Sequence, residues 1–339
     1  LTDVMGVGFA ENLVEKPPLN GFLSSLLDHS NILNDMSIIT SHPKYISEIF
    51  EISDYDLDEI VTRMKYSLST NDEKDGHGEG DDEGNGSKDG NSSESLPISN
   101  RFDVKKAARC ADIISNILQN SNTPNLNKKY KKLALQSIDL GVVAELAVQG
   151  INLAPMDSPT VRSFLHLLET LPAKITLSRG GVHAARAAQR NPETSLSALH
   201  LINSFTKGII TNKISKTTGK RKKIKKDDLN LLMKSGCVQY TVGIVETLTE
   251  RAKLNGGSTT GEERSMLILA LETLSVMSST GSEECIKRMT ASNVSSLLVD
   301  CMRVHSRTDR SITSLAASTL ARISSEDTTS LEALDHLSL

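Results

Sequence analysis

Tryptophan is absent from this chain of 339 residues, and the other aromatics are scarce, at five Tyr and six Phe. A core must therefore be built from Leu, Ile, Val, Ala and Met. That choice favours helices, because Leu, Ala and Met lose little freedom in them, whereas strands draw on aromatic and β-branched residues. Cysteine is nearly as sparse. Cys110, Cys237, Cys285 and Cys301 stand far apart, with no C-x-x-C pair and no histidine cluster nearby. This excludes zinc-ligand spacing and a disulfide framework, and predicts buried free thiols in a reducing compartment. No apolar run approaches the ~20 residues of a membrane span. A formal net charge of −4 selects no class of partner.

Catalytic signatures are missing as well. There is no G-x-S-x-G, no P-loop and no H-E-x-x-H. The histidines, His29, His42, His77, His166, His183, His200, His305 and His336, are scattered. Gly6-Val-Gly8 lacks the strand and third glycine of a dinucleotide fingerprint and reads as a turn. The expectation is therefore a non-enzyme with no catalytic residue, no metal ligand and no cofactor, located in the cytoplasm. Because the sequence starts at Leu1 and not Met, it reads as a fragment whose N-terminal signals, if it has any, lie outside it.

What is present divides the chain. Residues 1–68 read as divergent N-terminal helical repeats. Residues 69–99 read as a disordered acidic linker: between Ser69 and Leu96 stand nine acidic residues against two lysines, with almost nothing to bury. Residues 100–339 read as helical repeats interrupted by a basic loop at 207–228 and a flexible polar loop at 254–261. In Arg101–Asn120, for example, Ala107, Cys110, Ile114 and Ile117 fall on one stripe at helical spacing.

Four segments share an opening: SIDLGVVAEL from Ser137, LSRGGVHAA from Leu177, LMKSGCVQYT from Leu232 and MTASNVSSL from Met289. Each runs from a helical stretch through polar residues to Gly or Asn and then to an apolar helix. The residues Gly141, Gly181, Gly236 and Asn293 are thereby expected to form left-handed caps. A longer helix follows each opening, with apolar triplets at i, i+4 and i+7. These are Phe164, Leu168, Leu171; Ala198, Ile202, Phe205; Leu267, Leu271, Leu274; and Ala316, Leu320, Ile323, with Cys110, Ile114, Ile117 as an earlier set. The step from Gly141 to Gly181 is 40 residues, and the later steps are stretched to 55 and 57. In SRGGVHAARAAQRNPET (Ser178–Thr194), Gly180 and Gly181 make a sharp turn and Asn191-Pro192 ends a short helix before a long one over Ser195–Thr206. A helix so short cannot bury its apolar face alone, so it belongs to a stack.

The sequence GGVHAARAAQRNPETSLSALHLINSF resembles one armadillo repeat: a glycine turn, a short second helix, a loop and a long third helix. The resemblance covers roughly residues 137–323 and extends back toward residue 20, and SLEALDHLSL after Thr329 looks like the start of another course. It implies an all-α, armadillo-like α-solenoid, a right-handed superhelix of two- and three-helix repeats with disordered insertions. It also implies a groove lined by the long third helices, in which family members hold peptides with a Trp and, four residues later, an Asn. The matching positions here are Leu165, Leu199, Ile268 and Ala317 for Trp, and Glu169, Asn203, Glu272 and Ala321 for Asn. Only Asn203 matches, which argues against recognition of basic nuclear-localisation peptides. Glu169 and Glu272 would leave the groove mildly acidic.

The lysine block, Lys220, Arg221, Lys222, Lys223, Lys225 and Lys226, with Lys213 and Lys216 upstream, has several readings. It is a solvated loop, a nuclear-localisation signal, or a phosphate-contacting patch for nucleic acid or acidic lipid; or it is masked by the acidic linker. It lacks the interleaved aromatics of a base-stacking surface. The leading expectation is a protein-interaction scaffold with one protein partner along the groove or inserted loops. The alternative is a nuclear or nucleic-acid-associated factor acting through the lysines.

Overall fold

The computed structural model describes residues 54–69, 103–120, 138–210, 226–279 and 283–324. Among them there are thirteen α-helices and no strand. The acidic linker past Ser69, the lysine block up to Lys225, most of residues 1–68 and the segment after Thr329 lie outside the described residues.

Helices α1 (Asp54–Leu68) and α2 (Val104–Asn120) form a first course, and α3 (Leu140–Leu153) and α4 (Ser158–Thr170) a second. Three-helix courses follow. They are α5 (Ala173–Ser178), α6 (Gly181–Ala188) and α7 (Pro192–Ile210), then α8 (Lys226–Lys234), α9 (Cys237–Leu254) and α10 (Gly261–Ser278), then α11 (Glu283–Ala291), α12 (Val294–His305) and α13 (Arg310–Ser324). Packing between courses falls into rows. The last helix of each course packs on the last helix of the next, giving α2, α4, α7, α10 and α13. The helix before it does the same, giving α1, α3, α6, α9 and α12, and the short α5, α8 and α11 form a third row.

The aliphatic spine explains why the rows hold. Every member of the five apolar triplets, from Cys110, Ile114 and Ile117 to Ala316, Leu320 and Ile323, is buried. All of them belong to one continuous cluster, in which Phe164 and Phe205 are the largest fully buried side chains. Removing area of this kind from water contributes roughly 25 cal/mol per Å², an amount a lone eight-residue helix such as α6 cannot collect. Its Val182, Ala184, Ala185 and Ala188 are buried, and α6 packs on both α3 and α7.

Helix starts follow local chemistry. Gly180 precedes α6 with φ +90°, an angle that penalises a Cβ; Gly236 before α9 and Asn293 before α12 adopt the same left-handed region. The left-handed cap expected at Gly181 is thus corrected to Gly180; Gly181 is the first residue of α6 and serves a different purpose. A Cβ there would stand 2.7 Å from Thr176 Cγ2 and 2.9 Å from Thr176 O, so the residue is fixed by close approach.

The expectation of a left-handed cap at Gly141 is corrected. Here α3 starts at Leu140, and Asp139, with extended backbone, accepts from Gly141 N at 2.8 Å and Val142 N at 3.3 Å. A carboxylate cap satisfies the free amides, so no left-handed residue is required. The long helix is also longer than Ser195–Thr206. Pro192 opens α7, where its missing N–H is no loss, and Asn191 Oδ1 accepts from Glu193 N at 3.1 Å.

The two inserted loops are shorter than the sequence suggests. Lys207–Ile210 complete α7, and Lys226, Asp227 and Asp228 open α8. Asp228 is buried and paired with Lys174 of α5, which ties two short helices of the third row together. Leu254 closes α9 and Gly261 opens α10, so the polar turn is 255–260. Gly257 N donates to Ala252 O at 2.7 Å, and Thr260 with Glu263 forms a reciprocal capping box.

Candidate functional site

A continuous surface is formed by the row α2, α4, α7, α10 and α13, because each long helix buries one stripe against its neighbours and leaves another outward. Of the positions matched to family Trp residues, Leu165 and Leu199 are buried, and Ile268 and Ala317 are partly exposed. Glu169 is exposed, Glu272 is half-buried, and Asn203 is buried at 5% exposure. The Oδ1 of Asn203 has no hydrogen-bond partner among the described residues. An unanswered amide oxygen in a buried position costs free energy unless something else supplies a donor.

Polar links cross this row at every step. Between α2 and α4, Ser163 Oγ donates to Asp112 Oδ2 at 3.0 Å, and Gln119 Nε2 is hydrogen-bonded to His166 Nε2 at 3.0 Å. Between α4 and α7, Arg162 Nη2 donates to Glu193 O at 3.0 Å and lies 3.9 Å from its carboxylate. Lys207 Nζ of α7 stands 4.0 Å from Glu272 Oε2 of α10. Arg322 Nη1 of α13 donates to Ser275 Oγ at 2.8 Å and to Ser275 O at 3.2 Å. Lys207 thus stands beside Glu272, and this solvent-screened pair lessens the acidity expected of the groove at that step.

None of these partners was visible in the sequence reading except Glu272. The links join residues that are dozens of positions apart, and only the stacking of courses makes them neighbours. The signal that could have found Lys207 is its place four residues after Asn203, one turn along the same helix face. Of the lysine block, Lys226 alone is described, as the first residue of α8; Lys220, Arg221, Lys222, Lys223 and Lys225 lie outside the described residues.

Chemistry on this surface is limited by its own bonds. Asp112, Ser163 and His166 lie together, but Ser163 gives its proton to Asp112 and to Pro159 O, while the ring of His166 is held by Gln119. Burial raises the Asp112 carboxyl above the usual range, and the Ser163 hydrogen bond and His166 offset only part of that. The cysteines are buried thiols, none in a disulfide. Burial pushes Cys110 up to about 12 and Cys237 and Cys301 up to about 11, so these three stay protonated at neutral pH. Among the described residues no group of three or more His, Cys, Asp or Glu could hold a metal ion, and no helix is long and apolar enough to cross a membrane.

No family model and no curated protein matches the chain. One solved structure is similar, described as the crystal structure of an engineered protein from the Northeast Structural Genomics Consortium. The TM-score is 0.52, at 14% identity, over 90% of this chain and 96% of the other. At that identity the likeness concerns the fold alone.

Proposed function

We propose that the chain is an armadillo-like α-solenoid acting as a non-enzymatic scaffold, which holds a protein partner along the exposed face of α2, α4, α7, α10 and α13. The observation that carries this reading is the row itself: five long helices in sequence, each packed on the next, with an outward face of mixed polar groups. Stacked courses offer an extended rigid surface of the kind repeat proteins use for partners.

The test uses the full chain and a double variant, Glu169→Lys with His200→Glu. Both residues are exposed, on α4 and α7. Surface changes of this type shift stability by only about 0.5 kcal/mol. The reading expects co-purifying partners, identified by mass, to be lost from the double variant while its urea midpoint holds. It also expects them to be retained when Lys220–Lys226 are replaced by alanine. Loss only in the alanine variant would move the function to the lysine block and overturn the groove reading.

A further inference from the structure

His305 ends α12 and is completely buried, yet neither of its ring nitrogens has a hydrogen-bond partner among the described residues. A buried imidazole usually gives or takes at least one bond. The ring sits at a joint between courses. His305 O accepts from Asp309 N at 2.9 Å and Thr308 N at 3.2 Å, closing the turn from α12 to α13. That turn lies against the one between α9 and α10, where a Cβ on Gly257 would stand 2.8 Å from Val304 O and 3.3 Å from Thr308 Cγ2.

Asp309, Arg264, Arg251, Glu263, Arg288 and Glu284 around this joint are engaged with other groups, while Arg307 and Arg310 are exposed. Asp309 acts on the ring, but its carboxylate caps α13, accepting from Ser311 N at 2.9 Å and Ile312 N at 3.1 Å, and is paired with Arg264 of α10. On α9 and α10, Arg251 is held 3.6 Å from Glu263. On α11, Arg288 is bonded to Glu284 and to Met233 O. Arg310 of α13 is exposed, and Cys301, one turn before His305, is a buried protonated thiol. An imidazolium at this place would meet low dielectric and a carboxylate already committed to other donors.

We propose that His305 makes the last course, α11 to α13, acid-sensitive: protonation of its ring releases the turn between α12 and α13 from the turn between α9 and α10. The device would release α11 to α13 from α9 and α10 without unfolding the preceding courses. Burial holds the imidazole below its ordinary value of 6.5, and Asp309 offsets only part of that. The folded state therefore favours the neutral ring. Its stability is complete above the unfolded value near 6.5 and declines as pH falls below it.

Hydrogen exchange on the full chain between pH 7.5 and 5.0, corrected for intrinsic rates, tests this. Protection in α12 and α13 is expected to fall by up to about tenfold per pH unit below 6.5, the ceiling for one proton, while α4 and α7 hold. His305→Gln is expected to remove that dependence. Unchanged protection in the wild type, or an equal loss in His305→Gln, would overturn the proposal. A second measurement needs no variant: the His305 ring, followed by NMR in the folded wild type, titrates below 6.5, and titration at or above that value would overturn the proposal equally.

Discussion

Asn191 Nδ2 donates to Ser158 Oγ at 2.9 Å, and the same amide reaches Met156 O at 3.2 Å. One buried side chain thereby joins the start of α7 to the start of α4, while its Oδ1 caps Glu193 N. The Asn-Pro pair is thus a connector between courses as well as a punctuation mark.

Asn191→Ala removes the cap and leaves the buried Ser158 hydroxyl and the part-buried Met156 carbonyl without this partner. The expected loss is about 1–3 kcal/mol, seen as a lower urea midpoint with an unchanged slope. Asn191→Asp, which keeps the cap but not the amide donor, should fall between the two.

Helix α3 meets α4 at a site with no room for a methyl group. A Cβ on Gly150 would stand 2.3 Å from Phe164 Cζ. Gly150→Ala is expected to destabilise by about 1–3 kcal/mol despite its better helix propensity. Adding Phe164→Leu should recover part of that loss, because the two changes share one space. Additive losses in thermal or urea unfolding would contradict the packing described.

Asp309 separates a cap from an ion pair. Burial pushes its carboxyl up, but hydrogen bonds from Arg264, Ile312 N and Ser311 N and the Arg264 charge together outweigh it and hold the group below 3.8. Its contribution is therefore present above that value and lost as pH falls through the folded one. Asp309→Asn retains a good capping group and loses the charge; Asp309→Ala loses both. Unfolding at pH 7 should rank wild type, Asn and Ala in decreasing stability, with steps of about 0.5–1 kcal/mol. The gap between wild type and Asn should close as acid is added below pH 3.8.

Much of this fold could be read from residue order, because the reading rested on periodicity. All fifteen triplet positions are buried, from Cys110 to Ile323, since spacing at i, i+4 and i+7 states which stripe faces inward. Positive φ at Gly236 and Asn293 was equally legible, as short polar runs ending in Gly or Asn leave few alternatives, whereas the cap expected at Gly181 falls one residue earlier, at Gly180. Gly141 misled because Asp139, two positions earlier, had already capped the helix. The opening of α8 was hidden by charge: Lys226, Asp227 and Asp228 read as solvated loop, and the arrival of Lys174 from α5 helps to make a buried Asp228 tenable. The links across the candidate face were illegible for a related reason. Ser163 with Asp112 and Arg322 with Ser275 are pairings between courses, and nothing local to either residue announces its partner.

The buried thiols permit a direct measurement of the open row. Cys110, Cys237 and Cys301 resist labelling through burial and raised pKa, and Cys285 is buried as well, so cysteines introduced on the surface can be spin-labelled selectively. Exposed Ser314 of α13, Ser265 of α10 and Arg162 of α4 suit the purpose. Neighbouring helix axes in such packing lie about 10 Å apart. Courses stacked in one row place the Ser314–Ser265 labels about one such step apart and the Ser314–Arg162 labels near three steps, toward about 30 Å. Equal distances for the two pairs would mean that the courses fold back on one another, and would contradict the row on which the account rests.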